Sequence, residues 1–185
     1  MNNILTIDEI DKIHRTCNSW GVLKYTINSD GSIDVDGDCK LKSIYSPEVT
    51  TEIPLQFNKV SGSFGTIDIK LTSLRGCPKY VGGDFACNNC SLTSLEYGPV
   101  EVGGNFNCGI NHLISLEGCP TKVGGNFNCY MNSLSTLDFV PSDVGGIYDL
   151  DYNAYPPDFH KELHRIDDDL VTVVIKYHTY YDVWS

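Results

Sequence analysis

Eight cysteines stand among 185 residues, and cysteine spacing is the most direct sign of metal, redox or nucleophilic chemistry. Cys87-Asn88-Asn89-Cys90 has C-x-x-C spacing. Zinc needs further ligands, and the nearest candidates, Cys108 and Cys129, recur with Cys87 at one fixed interval. A catalytic thiol needs one copy with a distinctive basic neighbour, so a repeated thiol reads instead as a small apolar filler. Cys77 and Cys119 lie two intervals apart, roughly 10 Å by strand spacing and too far for a disulfide. Cys17 and Cys39 carry no motif. His160-Lys161-Glu162-Leu163-His164 sets two imidazoles at i and i+4, but Lys161 stands where a zincin helix has Glu and no third ligand follows. Asp34-Val35-Asp36-Gly37-Asp38 hints at calcium, yet Gly37 is misplaced and no bidentate Glu closes the loop. Asp167-Asp168-Asp169 reads as a solvated turn or helix start. The Val-Gly-Gly strings lack the helix N-terminus and Lys-Ser/Thr of a phosphate loop. No cofactor, metal ion or enzymatic activity is expected from these patterns.

The elements that position these residues come from an internal repeat. Val60, Val81, Val102, Val123 and Val144 are 21 residues apart, as are Phe64, Phe85, Phe106, Phe127 and Tyr148. Leu74, Leu95, Leu116 and Leu137 keep the step, and so do Pro78, Pro99, Pro120 and Pro141. The unit reads L-x-x-x-P-x-x-V-G-G-x-F-x-C-x-x-N-x-L-x-S-L. An earlier copy, Val35-Asp36-Gly37-Asp38-Cys39-Lys40-Leu41, lies 25 residues before Val60 and implies an insertion in the first turn. The alternating F-x-C predicts one short strand per rung, with Phe and Cys inward. The L-x-S-L-x-x-x-P half is too short and too marked by Pro and Gly for an α-helix, so irregular or 3₁₀ returns are expected. A rung that cannot bury its own face must stack, giving a parallel-sheet solenoid of about six rungs. Asn111, Asn132 and Asn153 are then an interior asparagine ladder, with Cys90 in the same slot.

Phe106-x-Cys108-x-x-Asn111-x-Leu113-x-x-Leu116 resembles the leucine-rich-repeat core L-x-L-x-x-N-x-L. The recurring L-T-S-L-E-G-C-P and V-G-G-x-F-x-C strings resemble a group of short-repeat proteins common in bacteriophage and bacterial genomes. The entry segment (25–37) and the closing segment (176–184) resemble the ends of that group, so the likeness spans nearly the whole chain. It implies a leucine-rich-repeat-like solenoid and no particular activity. The pattern departs from bacterial effector ubiquitin ligases, and no ligase domain follows.

Three regions are expected: a cap at 1–34, the solenoid at 35–154 and a second cap at 155–185. Thr6-Ile7-Asp8-Glu9 is a capping box for a helix that would cover the first rung with Ile10 and Ile13. At the other end Pro156-Pro157-Asp158 suits a helix start, and Leu170 to Trp184 has helical spacing. The β-branched run at 171–175 keeps a strand open there.

Lys+Arg 13 against Asp+Glu 24 give a formal charge of −11. Phosphate binding draws its affinity from Lys and Arg replacing counterions, so nucleic acid and anionic membranes are not expected partners. No signal peptide or membrane-spanning run is visible, and a cytoplasmic setting, a bacterial host's for a phage protein, is expected.

A solenoid binds through residues that face outward, and a protein partner is the leading expectation. The candidate sheet-face contacts are Asp84, Asn107, Asn128, Tyr130, Asp149, Asp151 and Tyr152, with Met131 nearby. A second candidate surface is the aromatic segment with Tyr180, Tyr181 and Trp184, suited to partner binding or a homodimer. The phage resemblance implies an accessory protein that engages and inhibits a host defence protein. The competing reading, a small-ligand or signalling-nucleotide binder, needs clustered Arg or Lys, which the repeats supply sparsely.

Overall fold

In the computed structural model, which describes residues 5–42, 51–67, 69–155 and 173–174, the chain opens with helix α1 (Ile7–Ser19). Thr6 caps it: its hydroxyl accepts from the Glu9 N–H at 3.3 Å, and the Glu9 carboxylate accepts from the Thr6 N–H at 2.8 Å. This is the capping box expected from the sequence. Cys17 and Val22 are buried beneath the helix, with Ile13 and Trp20 packed against the same core. His14 Nδ1 lies 2.6 Å from the Tyr25 hydroxyl and ties α1 to the first strand.

The chain then coils as a β-solenoid with two strands in each rung. One sheet takes β1 (Tyr25–Ile27), β2 (Ile33–Val35), β4 (Phe57–Val60), β6 (Tyr80–Val81), β8 (Glu101–Val102), β10 (Lys122–Val123) and β12 (Asp143–Val144). The other takes β3 (Cys39–Lys42), β5 (Phe64–Ile67), β7 (Phe85–Ala86), β9 (Phe106–Asn107), β11 (Phe127–Asn128), β13 (Tyr148–Asp149) and β14 (Val173–Val174). Every pairing is parallel except β1 with β2, a hairpin at the N-terminal end. The single strand per rung expected from F-x-C is therefore half of the answer. The first-named sheet rests, in its central rungs β6, β8 and β10, on two-residue strands whose one buried residue is the repeated Val, too short for alternation to register.

The core is a set of columns. Phe64, Phe85, Phe106 and Phe127 stack with centroids 5.4–5.6 Å apart, closed by Phe57 edge-on and by Tyr148 tilted. Val81, Val102 and Val123, Cys87, Cys108 and Cys129, and Leu95 and Leu116 are buried beside them. The return segments are irregular, as expected, and hold buried Leu92, Leu113 and Leu134. Each rung thus has three inward-facing segments joined by three turns.

The Val-Gly-Gly turn shows why the repeat needs both glycines. A Cβ on Gly103 would fall on the Gly82 carbonyl oxygen of the previous rung, and a Cβ on Gly104 would fall on Asp84 Oδ1. Rungs approach there backbone to backbone, where any side chain collides.

At the C-terminal end β14 pairs in parallel with β13, so the β-branched run at 171–175 holds a strand at Val173–Val174. The helices expected from Phe159 and around Tyr177 lie outside the described residues.

Candidate functional site

Asparagine does most of the polar work between rungs. Inside, Asn132 Nδ2 donates to the Cys108 and Cys129 carbonyls at 3.1 and 3.2 Å, while its Oδ1 accepts from the Leu113 N–H at 3.0 Å. Asn111 and Asn153 repeat this pattern one rung to either side. Cys90 takes the same slot with less: its thiol donates to the Ile69 carbonyl at 3.4 Å. The ladder expected from the sequence is present.

A second ladder runs along the outside, and the sequence reading missed it. Asp84 Oδ1 accepts from the Asn105 N–H at 2.7 Å, Asn105 Oδ1 from the Asn126 N–H at 2.8 Å, and Asn126 Oδ1 from the Ile147 N–H at 3.1 Å. Asp38 and Ser63 begin it. Asp84, a candidate contact residue, therefore carries a stacking bond between rungs.

The other candidate contacts divide by position. Asn107, Asn128 and Asp149 are half-buried. Asn107 Oδ1 accepts from the Gly109 N–H at 3.1 Å, and Asp149 does the same for Asp151 at 3.4 Å. These side chains close the turn after the strand. The column following the cysteine does not point outward throughout: Gly109 and Asp151 are buried, and Tyr130 is half-buried. A Cβ on Gly109 would lie 2.6 Å from the Tyr130 ring, so the glycine admits that ring onto its neighbouring rung. Tyr180, Tyr181 and Trp184 lie outside the described residues.

The residue that does point outward is the next one along. Asn89, Ile110, Met131 and Tyr152 have φ of 54, 56, 52 and 56°. This left-handed region suits Gly and Asn and is disfavoured for large or β-branched side chains. Ile110, Met131 and Tyr152 nevertheless occupy it at 37, 48 and 54% exposure. They form an apolar ridge along the turn between the second sheet and the return segment, with Tyr130 at its foot. Neither Ile110 nor its backbone setting stands out in the sequence alone; the available signal was an apolar letter where a sister rung has Asn.

The thiols are placed for packing. Cys77, Cys87, Cys90, Cys108 and Cys129 are buried and unbridged. Burial pushes the Cys77, Cys87 and Cys108 thiols well above the ordinary cysteine range, which keeps them protonated and poorly nucleophilic. The acids at 34–38 diverge. Asp34 accepts from Asn28 and Asn58, Asp36 from the Ser61 hydroxyl and Asp38 from the Ser63 N–H. Among the described residues no group of three or more His, Cys, Asp or Glu is placed to hold a metal ion. His160, His164 and Asp167 to Asp169 lie outside them. No described helix is long and apolar enough to cross a membrane.

No protein-family model, curated protein or solved structure matches this chain significantly.

Proposed function

We propose that this protein is a non-enzymatic binding module that engages a protein partner through the ridge of Ile110, Met131 and Tyr152. The observation that carries the reading is the cost of that ridge. Each side chain sits at positive φ, where an L-residue loses roughly 1–2 kcal/mol against the right-handed region. Each also leaves much of its apolar surface in water, so burial repays little of that backbone cost. Local strain at an exposed position points to a functional constraint. Met and Tyr supply adaptable and rigid contact area respectively.

The resemblance to phage-encoded short-repeat proteins supports a finer version, in which the partner is a host protein and binding inhibits it. The leucine-rich-repeat likeness supports the use of a repeat surface, by analogy alone.

The test replaces the ridge by the residue that a sister rung already uses. The triple variant Ile110→Asn, Met131→Asn, Tyr152→Asn keeps a side chain that tolerates the turn, as Asn89 does. Wild-type and variant baits are compared by quantitative capture from a bacterial lysate, with melting temperature as the control for folding. A partner whose recovery falls about tenfold, roughly 1.4 kcal/mol, supports the reading. An identical captured set on a folded variant sinks it.

A further inference from the structure

The turn that ends each return segment carries a second exposed aromatic column, distinct from the ridge. Leu74, Leu95, Leu116 and Leu137 each accept from the N–H three residues on, at 2.9, 3.0, 3.0 and 3.2 Å. The third residue of each turn has positive φ: Gly76 at 92°, Tyr97 at 69°, Gly118 at 86° and Phe139 at 66°. That is the signature of a type II turn, whose third position calls for Gly. Two rungs obey and two place an aromatic ring there, Tyr97 at 48% and Phe139 at 60% exposure.

The residue before each ring or glycine is charged: Arg75, Glu96, Glu117 and Asp138. The acids do not close the turn, because the hydroxyls of Ser94, Ser115 and Thr136 accept their N–H groups at 3.0, 3.1 and 3.4 Å. Among the described residues none of the three acids forms an ion pair. Arg75 shows what this corner attracts. Its guanidinium carbon lies 4.4 Å over the centre of the Tyr97 ring, one rung further on. The diagonal position equivalent to Arg75 is held by Glu117 in the rung before Phe139, so the repeat sets an acid there in place of a guanidinium.

We propose that Phe139, with Glu117 and Asp138, docks an arginine side chain from a basic segment of a partner protein. The ring offers its π-face to the planar cation, as Tyr97 does to Arg75, and the two carboxylates supply the opposite charge. The chain's charge of −11 draws a basic segment in from a distance. The site is independent of the Ile110–Met131–Tyr152 ridge, and either can fail without the other.

Fluorescein-labelled hexa-arginine and hexa-lysine peptides are titrated at low salt by fluorescence anisotropy. Hexa-arginine is expected to bind several-fold more tightly, because guanidinium stacks on an aromatic face better than ammonium does. Phe139→Gly installs the residue the turn prefers, so the fold is retained while the arginine preference is lost. Glu117→Gln with Asp138→Asn weakens both peptides by roughly five- to tenfold. Asp8→Asn with Asp11→Asn on α1 removes the same charge elsewhere and leaves both affinities within about twofold. The proposal is overturned if the α1 variant weakens binding as much as the Glu117/Asp138 variant, which would reduce the effect to net charge. It is equally overturned if Phe139→Gly leaves the arginine preference intact, or if hexa-arginine shows no saturable binding.

Discussion

A methyl group added to either of two glycines should move stability in opposite directions. Gly103→Ala places a Cβ on the Gly82 carbonyl oxygen, with the Gly82 carbonyl carbon at 3.0 Å. That carbonyl cannot swing aside. The Gly103 N–H donates to Val81 at 2.8 Å and the Gly104 N–H to Gly83 at 2.9 Å, which pins the backbone on both sides of Gly82. The same contact recurs between Gly124 and Gly103, so displacing one rung disturbs the next. Overpacking costs about 1–3 kcal/mol, and each disrupted ladder bond adds about 1. A loss of roughly 3–5 kcal/mol follows, or ~6–20 °C in Tm for a chain of this length. Gly65→Ala is the counterpart. Its Cβ would meet Ala86 Cβ at 3.5 Å, an ordinary contact, and Ala86 holds the same position one rung on. With no clash, reduced freedom in the unfolded chain should stabilise by roughly 0.4–1 kcal/mol, or ~1–4 °C. Thermal denaturation followed by far-UV circular dichroism reads both. If the two variants melt within about 2 °C of each other, the close backbone approach between rungs is wrong.

The interior ladder makes a similar pair. Asn132→Ala leaves the Leu113 N–H without its side-chain partner and the Cys108 carbonyl with Asn111 alone, and should cost roughly 1–3 kcal/mol in urea denaturation. Cys90→Asn should instead raise the urea midpoint, by about 1 kcal/mol of stability, because it restores to that rung the amide its neighbours use. The thiols give a pH prediction. Burial pushes Cys39 and Cys119 from 9.0 up to about 12, so between those values the folded chain holds protons that the unfolded chain has released. Their contribution to stability is complete below 9.0 and falls as pH rises toward 12. Tyr148, also raised by burial, acts in the same direction. Urea unfolding at about pH 8 and about pH 10.5 should show the drop, and a Cys39→Ala, Cys119→Ala variant should show less of it. At neutral pH a thiol reagent should label the native protein slowly, with half-buried Cys119 first, and all eight cysteines after denaturation.

The 21-residue interval made the solenoid, the Phe and Cys columns and the interior asparagines legible, because each depends on a residue type repeated in register. Features that depend on backbone direction were not legible. Asp84, Asn105 and Asn126 alternate as outward positions, and they are outward, yet their oxygens are bonded to the next rung's backbone. Binary patterning distinguishes inside from outside and says nothing of such bonds. The column after the cysteine fails differently. Gly109 is covered by the Tyr130 ring of the next rung, while Ile110 and Tyr152, at positive φ, emerge. The two-residue strands ending in Val102 and Val123 were hidden because their outward partners, Glu101 and Lys122, share no chemistry.

The residues proposed for recognition therefore share a property beyond exposure. In a repeat, sister rungs report what a position needs for folding: Asn89 at one corner, Gly76 and Gly118 at the other. Ile110, Met131 and Tyr152 depart from the first standard, and Tyr97 and Phe139 from the second. The two corners bound the same return segments, and Ile114, 70% exposed, stands on the segment between them. The outer face of the sheet that carries the Phe and Cys columns offers less, since its central rungs commit Asn and Asp side chains to ladders and turns. A partner that used both corners would have to lie across the return segments and cover Ile114. Its arginine would meet Phe139 while its apolar surface met Met131. Substitutions at either position would then weaken binding of the same partner, with effects that add, whereas each of two separate partners would respond to one position alone.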